Sequence, residues 1–278
     1  MNYKKFYLRD LSPVFKDSAA TLEYYELHFL NEVRYDPTFP RPALLICQGG
    51  AYQYCSDREG EPVALRFLTE GFNTFVIRYS CEREYPIPQR EVVFALNYIK
   101  EHQKEFHLTD DNPSIMGFSA GGHLVGSVAL YYKEIAASLG IDPKRVKPTA
   151  TIMAYPVVST EKGVGEWTTV TNITGLKEDL MEKLSLENHV TPDCPPVYIF
   201  STKTDTCVPP ENAERFVKAL KEAGVSYQYS LFEKGVHGGS LFSRGVYQDY
   251  EPYMEEAEPN SIWVKEASKF IFDIVYKK

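Results

Sequence analysis

The sequence predicts an α/β fold, with a mostly parallel central sheet and helices on both faces. Three observations predict it. Short, continuous apolar runs such as Ala43-Leu44-Leu45-Ile46-Cys47 have the pattern of strands covered on both sides. Between those runs lie segments whose apolar residues recur at three- and four-residue spacing, the period of a helix. Glycine and proline mark the joints, as at Gly71, Asn112-Pro113 and Gly224. Alternation of this kind calls for right-handed crossovers, with ligands bound at the carboxyl ends of the strands.

Residues 21–29 alternate polar and bulky side chains and read as an early, half-exposed strand, followed by a turn through Pro37 and Pro40. The buried strand 43–47 empties into Gln48-Gly49-Gly50-Ala51-Tyr52. Val63, Ala64, Phe67 and Leu68 make a helical stripe over 61–70, with Gly71 in the C-terminal cap position. A strand over 73–79 and a loop with Pro86 and Pro88 lead to a second helix from 90 to about 105. Ser114-Ile115-Met116 is the next strand, and 120 to about 132 is helical by spacing. Strands over 150–155 and 196–201, an amphipathic helix over 211–223, a strand over 225–232 and a final helix carrying Trp263, Ala267, Phe270 and Ile271 complete the pattern. About forty residues after Tyr155 interrupt the alternation, with only a weak amphipathic run of Leu176, Leu180, Met181 and Leu184. The expected organisation is one domain over 1–278 with a lid-like insertion at about 156–195.

Composition narrows the function classes. A chain of 278 residues with 44% hydrophobic and 24% charged residues suits a soluble domain with a sizeable core. A net charge of −8 and the lack of a Lys/Arg cluster argue against a nucleic-acid partner. No apolar run reaches signal-peptide or membrane-spanning length, so a cytoplasmic location without a membrane partner is expected. Cys47, Cys55, Cys81, Cys194 and Cys207 form no C-x-x-C pair, and reduced packing thiols are expected, with no metal.

Gly117-Phe118-Ser119-Ala120-Gly121-Gly122-His123 places a serine between glycines, directly after a strand and before a helix. A sharp turn there projects the hydroxyl from the top of the sheet, and glycines keep Cβ atoms out of the corner. Ser119 is the candidate nucleophile. It needs a base and a group that orients the base. His237, in the loop after the last strand, is the candidate base, and Asp205, after the strand 196–201, is its candidate partner. His123, the nearest rival, is expected to face the packing around the turn. Amides of Gly50, Ala51 and Ala120 are the candidate oxyanion donors, since glycine lets the backbone approach a substrate closely. Asp205 could instead be a loop cap, and the Gly-Gly pair merely a turn.

The chain order serine, aspartate, histidine, together with Gly49-Gly50-Ala51-Tyr52, residues 56–62, the Ser119 motif, Tyr155-Pro156-Val157 and Gly235-Val236-His237-Gly238, resembles the esterase/lipase branch of the α/β-hydrolases. Within it, these segments resemble small bacterial acetyl-xylan-esterase-like or sugar-ester hydrolases. The resemblance implies a serine hydrolase acting on short acyl esters, among them sugar acetates, and needing no cofactor. Gln48 stands where the family often has histidine, and Ala51 replaces its third glycine, which bears on acyl preference.

Tyr52 and Tyr54 are candidate substrate contacts, as are Phe242, Tyr247, Tyr250 and Tyr253 beside Glu255, Glu256 and Glu258. Arg58-Glu59 is expected to be an ion pair that braces the oxyanion loop. A small-molecule ester is the expected partner, with a homodimer left open. An amide hydrolase, formamidase-like or oligopeptidase-like, would use the same machinery, and a non-catalytic ligand-binding relative would lack turnover altogether.

Overall fold

A computed structural model describes residues 1–27, 39–246 and 252–277, the last stretch without the side chains of 252–254. The strands are β1 (Asn2–Tyr7), β2 (Thr21–Glu26), β3 (Ala43–Cys47), β4 (Asn73–Arg78), β5 (Ser114–Phe118), β6 (Thr151–Ala154), β7 (Val197–Thr202) and β8 (Tyr227–Phe232). They form one sheet in the order β1-β2-β4-β3-β5-β6-β7-β8. β1 and β2 pair antiparallel, as do β2 and β4, and every pairing from β4 across to β8 is parallel. The helices are α1 (Leu8–Leu11), α2 (Glu61–Glu70), α3 (Ile87–Glu101), α4 (Ala120–Leu139), α5 (Trp167–Thr174), α6 (Glu178–Lys183), α7 (Glu211–Glu222), α8 (Pro252–Ala257) and α9 (Trp263–Tyr276).

Side chains alternate across a strand, so each central strand supplies two cores. Leu45, Ile115 and Ile199 pack with Val92 of α3, Leu124 of α4 and Phe216 of α7. Ile46, Met116 and Phe200 pack with Phe67 of α2 and Ile271 of α9 on the other face. Trp263 anchors that second layer: it stacks on Phe200 at 5.0 Å between ring centroids and meets Phe118 edge-on at 5.9 Å. Full burial of such a side chain stabilises the fold by roughly 3 kcal/mol. The crossover from β3 leads outward to β4, whereas β5 sits on its other side. The loops after β3 and β5 therefore diverge and leave a crevice at the switch point.

The α/β-hydrolase architecture expected from the sequence is the one observed, with four local differences. β2 is buried at all six positions rather than half-exposed. Its two glutamates are buried with partners: Glu23 accepts from Lys5 Nζ at 3.0 Å and Tyr25 Oη at 2.9 Å, and Glu26 from Asn2 Nδ2 at 2.9 Å. The covering strand, β1, is lysine-bearing and almost wholly exposed, the form of a protected sheet edge, and was not anticipated. α3 begins three residues before the expected position because Pro88 sits in its first turn, where a missing N–H costs nothing. α4 runs on past Lys133 and Glu134 to a left-handed cap at Gly140. Residues 28 and 29 of the expected early strand lie outside the described residues.

Within 156–195, α6 carries Leu180 and Met181 of the expected amphipathic run, with Leu184 at its C-terminal cap, and α5 precedes it. Leu184 is buried and Leu176 is largely exposed, because Gly175 ends α5 just before it.

Candidate active site

β5 delivers Ser119 with φ 52° and ψ −118°, a conformation that a residue with a Cβ rarely adopts. Strain of this kind costs on the order of 1–3 kcal/mol and persists only where the surroundings fix it. Three backbone bonds do so: Ser119 N–H donates to Ala154 O at 3.0 Å, and Ser119 O accepts from His123 N at 3.1 Å and Val157 N at 3.2 Å. The glycines are sterically required. A Cβ at Gly117 would lie 2.0 Å from Gly121 O, and one at Gly121 would lie 2.3 Å from Cys47 O.

The loop after β8 brings His237 to this hydroxyl, with 2.8 Å between Ser119 Oγ and His237 Nε2. The opposite ring nitrogen, Nδ1, lies 2.8 Å from Asp205 Oδ2. Asp205 is 4% exposed, and its Oδ1 accepts from Cys207 N and Val208 N, both at 2.9 Å. A carboxylate only accepts, so the proton sits on Nδ1 and leaves Nε2 free to accept from the serine hydroxyl. The histidine loop is itself held: Gly235 O accepts from Thr204 Oγ1 at 2.7 Å, and Lys234 O from Asn260 Nδ2 at 2.6 Å.

The glycine loop after β3 closes the other side. Gly50 adopts φ 121°, and Ala51 and Tyr52 follow at 53° and 57°. A Cβ at Gly50 would lie 2.1 Å from Tyr54 O, so glycine is needed there. Asn172 Nδ2 in α5 donates to Ala51 O at 2.8 Å and ties the loop to the 156–195 segment. Among the described residues, the N–H groups of Gly50, Ala51 and Ala120 donate to no protein acceptor. That leaves three donors around the serine turn for a developing negative charge.

Between these elements lies a cavity of about 220 Å³. Gly50, Ala51, Ser119, His237 and Gly238 line it, together with Gln53, Tyr54, Ser56, Arg58, Glu59, Glu166, Thr168 and Cys207, which make the lining polar. Burial raises the Glu166 carboxyl, but bonds from Thr169 and Thr168 outweigh that and hold it below the usual range. Those bonds cap α5, which keeps the charge fixed at the cavity wall. Burial pushes the Cys207 thiol up, with nearby Asp205 adding to the effect.

Several expectations need correction. Tyr52 is fully buried, with its hydroxyl 3.0 Å from His123 Nδ1, so it is a packing residue rather than a substrate contact. The left-handed backbone at Ala51 and Tyr52 turns its ring inward, whereas Tyr54 stays in the cavity wall. Phe242 is also buried, in the core beside Phe200. Tyr247, Tyr250 and the Tyr253 side chain lie outside the described residues. Glu255 pairs with Arg244 and Glu256 with Lys234. Glu59 does brace the glycine loop, but by accepting from Gly49 N at 2.8 Å and Tyr155 Oη at 2.8 Å, and both Arg58 and Glu59 line the cavity. Gln48 is buried and donates to Ser56 O at 2.9 Å. Cys55 and Cys81 approach to 3.8 Å between sulfurs, a proximity their sequence separation concealed.

His123 packs as expected, with Nε2 2.9 Å from Leu184 O, and burial lowers its pKa to about 4. Glu166, Thr168 and Cys207 were not anticipated in the cavity wall. The cap pattern Glu-x-Thr-Thr and the position two residues after Asp205 were the available signals. Among the described residues, no group of three or more His, Cys, Asp or Glu side chains is placed to hold a metal ion. Among the same residues, no helix is long and apolar enough to cross a membrane.

A family model described as BD-FAE matches residues 34–220. Over 212 residues the chain is 29% identical to endo-1,4-beta-xylanase B of Butyrivibrio fibrisolvens, covering 71% of this chain and 32% of that protein. Over 234 residues it is 26% identical to an acetylxylan esterase of Xylanibacter ruminicola, covering 80% of this chain and 45% of the other. The chain thus spans less than half the length of these two relatives. Among solved structures, an acetyl ester-xyloside bifunctional hydrolase from Caldicellulosiruptor lactoaceticus superposes with a TM-score of 0.76 at 26% identity, covering 92% of this chain and 89% of that one.

Proposed function

The chain belongs to the BD-FAE family, and from that premise we propose that it is a serine carboxylesterase that hydrolyses short-chain acyl esters, among them acetyl esters of sugars. The observation that carries this reading is the chain of two 2.8 Å hydrogen bonds from Ser119 through His237 to Asp205.

Ser119 Oγ attacks the ester carbonyl while His237 Nε2 takes its proton, and Asp205 stabilises the resulting imidazolium. The carbonyl oxygen becomes an oxyanion that the amides of Gly50, Ala51 and Ala120 bind. Collapse breaks the bond to the alkoxy oxygen, and His237 returns the proton to it, so the alcohol leaves and the acyl group stays on Ser119. Water then attacks the acyl-enzyme, giving its proton to His237, and a second collapse frees the acid and the serine hydroxyl. The scheme asks for no metal and no organic cofactor.

Cavity size supports a short acyl group, since about 220 Å³ falls below the usual range for drug-sized ligands. Polar walls from Gln53, Tyr54, Ser56, Arg58, Glu166 and Thr168 support a hydroxyl-rich alcohol. The names of the xylan-active relatives point the same way. In this reading 156–195 acts as a lid, contributing Glu166 and Thr168 to the wall, within a single domain. The test is turnover of p-nitrophenyl acetate and of acetylated xylo-oligosaccharides by wild type and Ser119→Ala. Full turnover by the variant would refute the nucleophile, and a preference for long acyl chains would refute the substrate class.

A further inference from the structure

We propose that Glu59 is a positioning residue for this reaction: its ionised carboxylate clamps the oxyanion loop to the histidine loop and lends negative charge to the imidazolium of His237. The inference rests on the serine-esterase reading above.

Glu59 is 2% exposed, and both its oxygens are engaged. Oε2 accepts from Gly49 N–H at 2.8 Å, at the root of the oxyanion loop. Oε1 accepts from Tyr155 Oη at 2.8 Å, and that oxygen in turn accepts from Ser240 N–H at 2.9 Å, three residues past His237. Ser240 is locked by Oγ donating to Arg58 O at 2.7 Å and by its carbonyl accepting from Trp263 Nε1 at 3.0 Å. One carboxylate therefore joins the two loops that hold the donors and the base.

The polarity of the chain suits the ionised form: Tyr155 accepts from Ser240 N–H and donates its own proton to Oε1, and Gly49 N–H donates to Oε2, so both carboxylate oxygens act as acceptors. Burial pushes the Glu59 carboxyl up, opposed by bonds from Tyr155 and Gly49 and by the charges of Arg58 and His237. A buried charge is an expensive brace, and a glutamine of the same shape could accept at only one of the two positions. The charge has a use nearby, because the Tyr155 ring packs edge-on against His237 at 5.2 Å and 71°. The groups around His237 are Asp205 at Nδ1, Ser119 at Nε2, Tyr155 edge-on to the ring, and Arg58, Glu59, Glu166 and Cys207 lining the same cavity. Gly49 transmits the clamp: a Cβ there would lie 2.7 Å from Glu59 Oε2 and 3.1 Å from Ser119 Cβ.

The experiment measures p-nitrophenyl acetate hydrolysis by wild type, Glu59→Gln, Tyr155→Phe and Ser119→Ala, with sites counted by fluorophosphonate titration. Glu59→Gln is expected to lower kcat per titrated site about tenfold with KM within about twofold, the mark of an interaction made in the transition state. Its acid limb in kcat/KM is expected to move to lower pH, because a charge that favours imidazolium is gone. Tyr155→Phe keeps the charge, so it is expected to lower kcat and leave the acid limb near its wild-type position. Wild-type kcat per site and an unmoved acid limb in Glu59→Gln would overturn the proposal. If that variant does not fold, unchanged kcat in Tyr155→Phe would overturn it. Retained turnover in Ser119→Ala would sink the nucleophile reading, and this inference with it. An inactive Ser119→Ala beside a wild-type-like Glu59→Gln would sink the inference alone.

Discussion

Asp205 meets His237 with one carboxylate oxygen while the other is held by two backbone amides, so the carboxylate cannot rotate away from the imidazole. Replacing Asp205 with Asn keeps the shape but turns an N–H2 towards Nδ1, which forces the proton onto Nε2. We predict that Asp205→Asn lowers kcat on the order of 10³–10⁴-fold with its melting temperature nearly unchanged. A loss of less than tenfold would mean that Asp205 does not set the tautomer.

Strain at the serine turn gives a stability prediction. Glycine tolerates φ 52° with ψ −118°, whereas alanine has the same Cβ as serine. Ser119→Gly is expected to be more stable than Ser119→Ala by about 1 kcal/mol in urea unfolding, with both inactive. Equal stability would show that the turn is unstrained.

His123 links folding to pH. Burial lowers its pKa to about 4, so the folded protein holds the ring neutral and binds fewer protons there than the unfolded chain, whose histidine titrates near its ordinary value of 6.5. Its neutral-form preference is fully satisfied above pH 6.5, and stability falls as pH drops towards 4. By linkage the loss approaches roughly 3 kcal/mol. His123→Gln should flatten that part of the stability curve, and an unchanged slope would contradict the assignment.

The two tyrosines after the glycine loop should separate by readout. Tyr52→Phe removes the bond to His123 and is expected to cost about 1 kcal/mol of stability with KM unchanged. Tyr54→Ala, in the exposed cavity wall, is expected to change KM for acetylated sugars while leaving the melting temperature within error. The reverse pattern would place Tyr52 rather than Tyr54 against the substrate.

These contrasts mark where the sequence was legible. Ala43–Cys47 was readable because burial on both faces leaves a continuous apolar run, and Ser119 because its corner excludes Cβ atoms at Gly117 and Gly121. Side-chain direction was not readable where the backbone turns left-handed, so Tyr52 looked like a neighbour of the substrate although its ring points into the core. β1 escaped notice because an edge strand that faces water on most positions has no apolar period to detect. Glu59 reads from the sequence as half of an ion pair with its neighbour Arg58, but the partners it braces, Gly49 and Tyr155, lie 10 and 96 residues away, and only the folded chain brings all three together.

The most direct test of the central claim is covalent. Wild-type protein treated with a fluorophosphonate and digested should show a single adduct, mapped by mass spectrometry to Ser119, with labelling slowed at least about a hundredfold in His237→Ala, since the base activates the nucleophile. An adduct at another residue, or labelling of Ser119 at the wild-type rate without His237, would contradict it.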